Sequence, residues 1–148
     1  DLHRLIRRQR QMCIRDRDMD FYEVRYDDKA ESELEFCKKM YKNHAINSKN
    51  MNTVKSVILD ISGGGIRFSL STPLEEGTYF MAQFSLALEE CTQQFNIVCK
   101  VINCTQSLDY ADRYFARSKF IFDRMTEREK IVRFVFEEER RIRRREME

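Results

Sequence analysis

Asp60, Ser62 and three consecutive glycines, Gly63, Gly64 and Gly65, stand together in LDISGGGIRFSL, residues 59–70. The chain has only 4 glycines, so three in a row mark a tight turn or a place where something comes very close to the backbone. The Asp60 carboxylate accepts two hydrogen bonds side by side, which suits the N1–H and exocyclic amine of a guanine. The Ser62 hydroxyl beside it can donate or accept. Glycines lack a Cβ, so a flat ligand can reach the backbone, and positive φ is permitted. The same residues also read as a plain tight hairpin in which Asp60 and Ser62 bond their own backbone.

A second group of residues able to do chemistry lies upstream. RRQRQMCIR, residues 7–15, gathers Arg7, Arg8, Arg10 and Arg15. Guanidinium forks grip phosphate oxygens bidentately, and their planar faces stack on purines. An arginine arm joined to an Asp/Ser/Gly turn is a way to hold a nucleotide that carries both phosphates and guanines. A solvated basic linker is the other reading of the arm. The C-terminus is basic too, with Arg140, Arg141, Arg143, Arg144 and Arg145. Net charge is only +2, so the distribution of charge, and not its sum, points to an anionic partner at one or both ends.

Other chemistries find little support. The 5 cysteines are an odd number without CxxC spacing, which fits reduced thiols in a cytoplasm better than a disulfide frame or a zinc site. His3 and His44 lack metal-ligand neighbours at useful spacing. No Ser/His/Asp or Cys/His arrangement stands out, and SGGGIR has neither the length nor the lysine of a phosphate-binding loop. We therefore expect no enzyme, no metal and no cofactor. No apolar run reaches the roughly 18 residues that span a bilayer. The first residues are charged and hold no apolar signal-peptide core.

These residues must be positioned by a small β-rich domain. Residues 1–20 read as an extended arm, and FYEVRY, residues 21–26, as a strand. Residues 27–50 form a polar insertion. Within it ESELEFCKKMYKN is expected to be a short helix on the weak spacing of Leu34, Met40 and Tyr41, and HAINSKN a loop. TVKSVILDIS and IRFSLS flank the glycines as a hairpin. TPLEEG, with the only proline, is a loop. TYFMAQFSLAL, FNIVCKVINCTQ and YFARSKFIF follow as three more strands, and their phenylalanines, Phe80, Phe84, Phe95, Phe115, Phe120 and Phe122, are assigned to the core. At Thr126 the pattern turns helical. Thr126 and Glu129 fit a capping box, and Ile131, Val132, Phe134, Val135, Phe136 and Ile142 form an apolar stripe. Six closely spaced antiparallel strands and one long terminal helix favour a small barrel.

Together the arm and the turn resemble the PilZ domain family, bacterial receptors for cyclic di-GMP, whose signature is RxxxR in an N-terminal arm followed by (D/N)xSxxG at a strand end. DISGGG matches the second half at Asp60, Ser62 and Gly65. The residues after it look like the family's next strand and loop, and residues 120–146 look like the closing strand and helix of flagellar-brake (YcgR-like) members. The first half is imperfect. QRQMCIR places Arg10 just before the motif, Gln11 at its first position and Arg15 at its last, with Arg8 able to substitute. A literal RxxxR spans Arg4 and Arg8. The stretch MCIRDRD, residues 12–18, also resembles translated adapter sequence, and we expect it to be foreign to the natural gene.

The resemblance implies a six-stranded antiparallel PilZ-type β-barrel, with an arm at residues 1–20, a barrel at 21–125 and a helix at 126–148. It implies a cytoplasmic receptor that binds cyclic di-GMP through Arg8, Arg10, Arg15, Asp60, Ser62, Gly64 and Gly65. Ordering of the arm would relay the signal to flagellar motility or exopolysaccharide output, through flagellar motor, stator or polysaccharide synthase proteins. Residues 1–8 would be the stump of an interdomain linker, and the chain a monomer or homodimer. Arg67 and Lys119 can line the ligand surface or merely face solvent. Two rivals stay open: a degenerate PilZ-like protein-interaction module that binds no nucleotide, favoured by Gln11, and a nucleic-acid binder using the arm and the arginine tail.

Overall fold

The computed structural model describes residues 18–26, 32–88 and 91–147. Six strands, β1 (Asp18–Val24), β2 (Val54–Ile61), β3 (Gly65–Leu70), β4 (Tyr79–Ala87), β5 (Thr92–Gln106) and β6 (Tyr114–Ile121), close into a barrel in the order β1-β2-β3-β6-β5-β4. Every neighbouring pair is antiparallel. Closure leaves no free sheet edge. The first strand begins three residues before the expected FYEVRY, because Met19 and Phe21 share one face and both fill the core.

Alternation explains the core. Ile66 and Phe68 of β3, Phe80, Ala82, Phe84 and Leu86 of β4, Phe95 and Ile97 of β5, and Ala116 and Phe120 of β6 point inward and pack together with Phe21 and Ile58. Phe21, Phe68 and Phe80 stack pairwise with centroids 5.2–5.7 Å apart. Phe115 departs from the expected core, since its neighbours Ala116 and Tyr114 alternate with it and it is only half-buried. In the loop before β4, Gly77 has φ of 83°, a conformation that favours glycine.

Strand β4 is buried on both faces, and a helix accounts for it. Helix α1 (Glu33–Lys42) lays Phe36, Cys37 and Met40 on the outward-facing Tyr22, Tyr79, Met81 and Val98. Of the expected stripe, Met40 is buried there and Tyr41 packs against the same cluster, its hydroxyl donating to Ile121 O and accepting from Val98 N–H at 3.0 Å, whereas Leu34 is exposed and Phe36 and Cys37 complete the face in its place. Ser32 caps the helix, its hydroxyl accepting from Glu35 N–H at 3.3 Å. Tyr79 donates its hydroxyl hydrogen to Glu33 Oε2, and Lys100 Nζ lies 3.1 Å from the same oxygen, so the helix start is tied to the barrel wall. Contrary to the expected loop, HAINSKN forms a second helix, α2 (His44–Asn50). The chain bends at Asn43, whose carbonyl accepts from Ile46 and Asn47 N–H and so restarts the helical ladder. His44 then stacks on Tyr22, with centroids 5.8 Å apart.

The terminal helix α3 (Met125–Met147) starts one residue before the expected Thr126 cap. Only three residues separate it from β6, and Glu127 N–H already bonds Arg124 O at 3.2 Å. Ile131 and Phe134 join the main core, and Val135 packs against it, so the first half of the helix covers one end of the barrel. Phe136, expected in the stripe, is exposed. Among the described residues, no helix is long and apolar enough to cross a membrane.

Candidate functional site

Inward-facing Ser56 and Ile58 set the parity of β2, and on that parity Asp60 would point into the core. It does not, because the β2–β3 register slips between Ile58 and Asp60. Leu59 is the extra residue of a bulge, and bulges re-aim side chains. Asp60 therefore pairs with the outward-facing Arg67, and its Oδ2 lies 2.7 Å from Arg67 Nη2. Both side chains are about half-exposed, so the ion pair itself contributes at most about 1 kcal/mol. Its effect is orientation: one carboxylate oxygen is held and the other is left for an incoming donor.

A second bulge mirrors the first. The β5–β6 register slips between Val101 and Asn103, which turns both Ile102 and Asn103 outward. Between the two bulges lies a cavity of about 630 Å³. It is lined by Asp60, Ser62, Gly64, Gly65 and Arg67 from the hairpin, and by Ile102, Arg117 and Ser118 from β5 and β6. That volume suits a drug-sized or nucleotide-sized ligand.

The glycine turn serves the site in three different ways. Ser62 N–H donates to Gly65 O at 2.9 Å, and Ser62 Oγ accepts from Gly64 N–H at 3.2 Å and Gly65 N–H at 3.3 Å. In this state the Ser62 hydroxyl thus holds the turn itself, as the hairpin reading expects. Gly65 is needed for close approach: a Cβ there would stand 2.0 Å from Ser118 O on β6. Gly63 lies under α3, where a Cβ would stand 2.8 Å from Val132 Cγ2. Gly64 alone faces open space, with only Ser62 Oγ within reach at 3.9 Å. None of the three has positive φ, so close approach, and not unusual backbone geometry, explains Gly63 and Gly65.

The structure thus brings Asp60, Ser62, Gly64 and Gly65 together at one cavity. Arg8, Arg10 and Arg15 lie outside the described residues. Lys119 does not line the cavity; it opposes Gly65 on one side and Lys100 on the other. Sequence reasoning missed Arg117, Ile102 and the bulges. Arg117 was recoverable by pairing YFARSKFI with GIRFSL, whereas nothing in LDIS announces an extra residue in the ladder. Among the described residues, Cys37, Cys91, Cys99 and Cys104 are free thiols. Burial raises the Cys37 thiol to about 11 and raises that of Cys99 as well, so neither is a ready thiolate. Among the described residues no cluster of His, Cys, Asp and Glu could hold a metal ion.

The PilZ domain matches residues 41–137, a span that holds the hairpin, the cavity and the first half of α3. The chain belongs to the PilZ domain family. No curated protein sequence matches it. Among solved structures, a K. pneumonia MrkH crystal structure shares 19% identity over 84% of this chain, with a TM-score of 0.50. A K. pneumonia MrkH structure in its apo state shares 16% identity over 84% of this chain, with a TM-score of 0.48. At such identity the first likeness speaks to the fold alone. This PilZ chain spans about half of the MrkH chain, 47% of its length.

Proposed function

We propose that this PilZ domain is a receptor for cyclic di-GMP and that the cavity between the two bulges is its binding site. The observation that carries the reading is the outward Asp60, held by Arg67 at 2.7 Å beside the open backbone of Gly64. Each carboxylate oxygen has two lone pairs, so Asp60 keeps Arg67 on Oδ2 and still accepts the N1–H and amine of a guanine edge, one on each oxygen. Gly64 lets the purine lie against the turn, and Ile102 offers an apolar surface at the rim. Ser62 gives up one turn contact or keeps it while meeting the ligand. Arg10 and Arg15, with Arg8 as substitute, supply phosphate forks from the arm.

Ordering of that arm over the ligand costs conformational entropy, and arginine–phosphate contacts offset it. The coupling makes binding a signal, passed to flagellar motility or exopolysaccharide output in a cytoplasmic setting. The alternative is a PilZ-like interaction module without nucleotide affinity, which the glutamine at position 11 favours.

Calorimetric titration with cyclic di-GMP separates the two. The receptor reading expects saturable heat for the wild type and loss of binding for Asp60→Ala with the fold intact. Absence of heat at ligand concentrations well above micromolar supports the interaction module instead.

A further inference from the structure

We infer that Arg117, with Arg67 beside it, forms a seat for one phosphodiester of the dinucleotide on the barrel wall itself, apart from the arm. The inference rests on the receptor reading above and deepens it.

Asp60, Arg67, Arg117 and Asn103 are successive register partners across β2, β3, β6 and β5. They form one lateral row on the outer face of the barrel, and three of them line or border the cavity. Arg67 and Arg117 are directly opposite each other. Residues so placed have Cβ atoms roughly 4.5–5.5 Å apart, and like charges in that position are destabilising. Asp60 is the one carboxylate in the row, and it is taken by Arg67. Arg117 makes no ion pair among the described residues. Arg67 Nε is shut off from solvent and has no hydrogen-bond partner. Two guanidinium groups facing one carboxylate leave the cavity wall with one unmatched positive charge and an unsatisfied donor.

A phosphodiester has the matching chemistry. It carries one negative charge and two non-bridging oxygens, which an arginine fork binds in parallel. The geometry sets the length of the ligand as well. Asp60 and Arg117 are two strand spacings apart, about 9–10 Å. That is the scale of one nucleotide from its Watson–Crick edge to its phosphate. A guanine on Asp60 therefore brings its phosphate over Arg117, and Arg67 between them serves both.

The test is a calorimetric titration of cyclic di-GMP into the wild type, Arg117→Gln, Arg117→Lys and Asp60→Ala, at low and high salt, with thermal melts of each free protein. The loss of a charge-assisted contact is expected to weaken Arg117→Gln roughly ten- to a hundredfold. Arg117→Lys recovers part of that loss, and Arg117→Gln loses part of the salt dependence. The free Arg117→Gln protein melts at the wild-type temperature or higher, since the opposition to Arg67 is relieved. Wild-type affinity and salt dependence in Arg117→Gln overturn the phosphate seat while the receptor reading stands, and a lowered melting temperature of the free variant overturns the like-charge argument. If Arg117→Gln is weakened but Asp60→Ala is not, the seat stands and the guanine assignment falls. A wild type that does not bind overturns both.

Discussion

Gly65 meets Ser118 backbone to backbone, so closely that a Cβ on Gly65 would stand 2.0 Å from the Ser118 carbonyl oxygen. Strands β3 and β6 can pair there only because residue 65 has no side chain. Gly65→Ala must push the strands apart or twist the hairpin, and we expect a loss of about 1–3 kcal/mol or more in chemical denaturation. Gly64→Ala meets open space and should stay within about 0.5 kcal/mol of wild type. If purine reaches the backbone at Gly64, that same mild substitution weakens cyclic di-GMP binding. The two alanines thus separate a folding glycine from a binding one. Equal stability of both proteins contradicts the close-approach account.

Gly63 and Val132 couple the turn to the terminal helix, across a gap that would leave a new Cβ 2.8 Å from Val132 Cγ2. Gly63→Ala should destabilise the protein, and Val132→Ala should make room for it. A double-mutant cycle is expected to show the Gly63→Ala cost shrinking by about 0.5 kcal/mol or more in the Val132→Ala background. Strict additivity would mean that the helix does not press on the turn.

Phe134 is fully buried where α3 covers the barrel end. Phe134→Ala should cost about 3–5 kcal/mol in urea denaturation, and Phe136→Ala, at an exposed position on the same helix, far less. Comparable costs for the two would show that the helix does not dock as described.

Acid should loosen the α1 side of the barrel. The Tyr79 hydroxyl, and after it Lys100, holds the Glu33 carboxyl below its ordinary range. A depressed carboxyl stabilises the fold above its unfolded pKa, and that contribution disappears as pH falls through the folded value. Burial likewise lowers His44 from its ordinary 6.5, so the unfolded chain takes up that proton first and stability also falls as pH drops below this value. Melting temperature should therefore decline from near neutrality toward about pH 4. Glu33→Gln should flatten the lower part of the decline and His44→Gln the upper part. A melting temperature that rises on acidification contradicts both assignments.

The strands, the barrel and the cavity's motif residues were legible because alternation and glycine clustering are local signals. TYFMAQFSLAL and YFARSKFIF show their faces directly. What was not legible depended on tertiary contacts. HAINSKN has no apolar stripe, and it becomes helical where Asn43 restarts the ladder and His44 reaches Tyr22. Leu34 looked like part of the buried face of α1 with Met40 and Tyr41, but Leu34 is exposed, and Phe36 and Cys37 join Met40 and Tyr41 against the barrel wall in its place. The outward turn of Asp60 needs a register slip that belongs to the pairing of two strands and to neither strand alone.

Whether this cavity receives the dinucleotide can be seen residue by residue in amide chemical shifts. Cyclic di-GMP titrated into the labelled protein should shift Ser62, Gly64, Gly65, Arg67 and Arg117, and should leave Phe36, Cys37 and Met40 on α1 unmoved. Saturating ligand that leaves the first set where it was, or that moves only residues remote from the two bulges, contradicts the account.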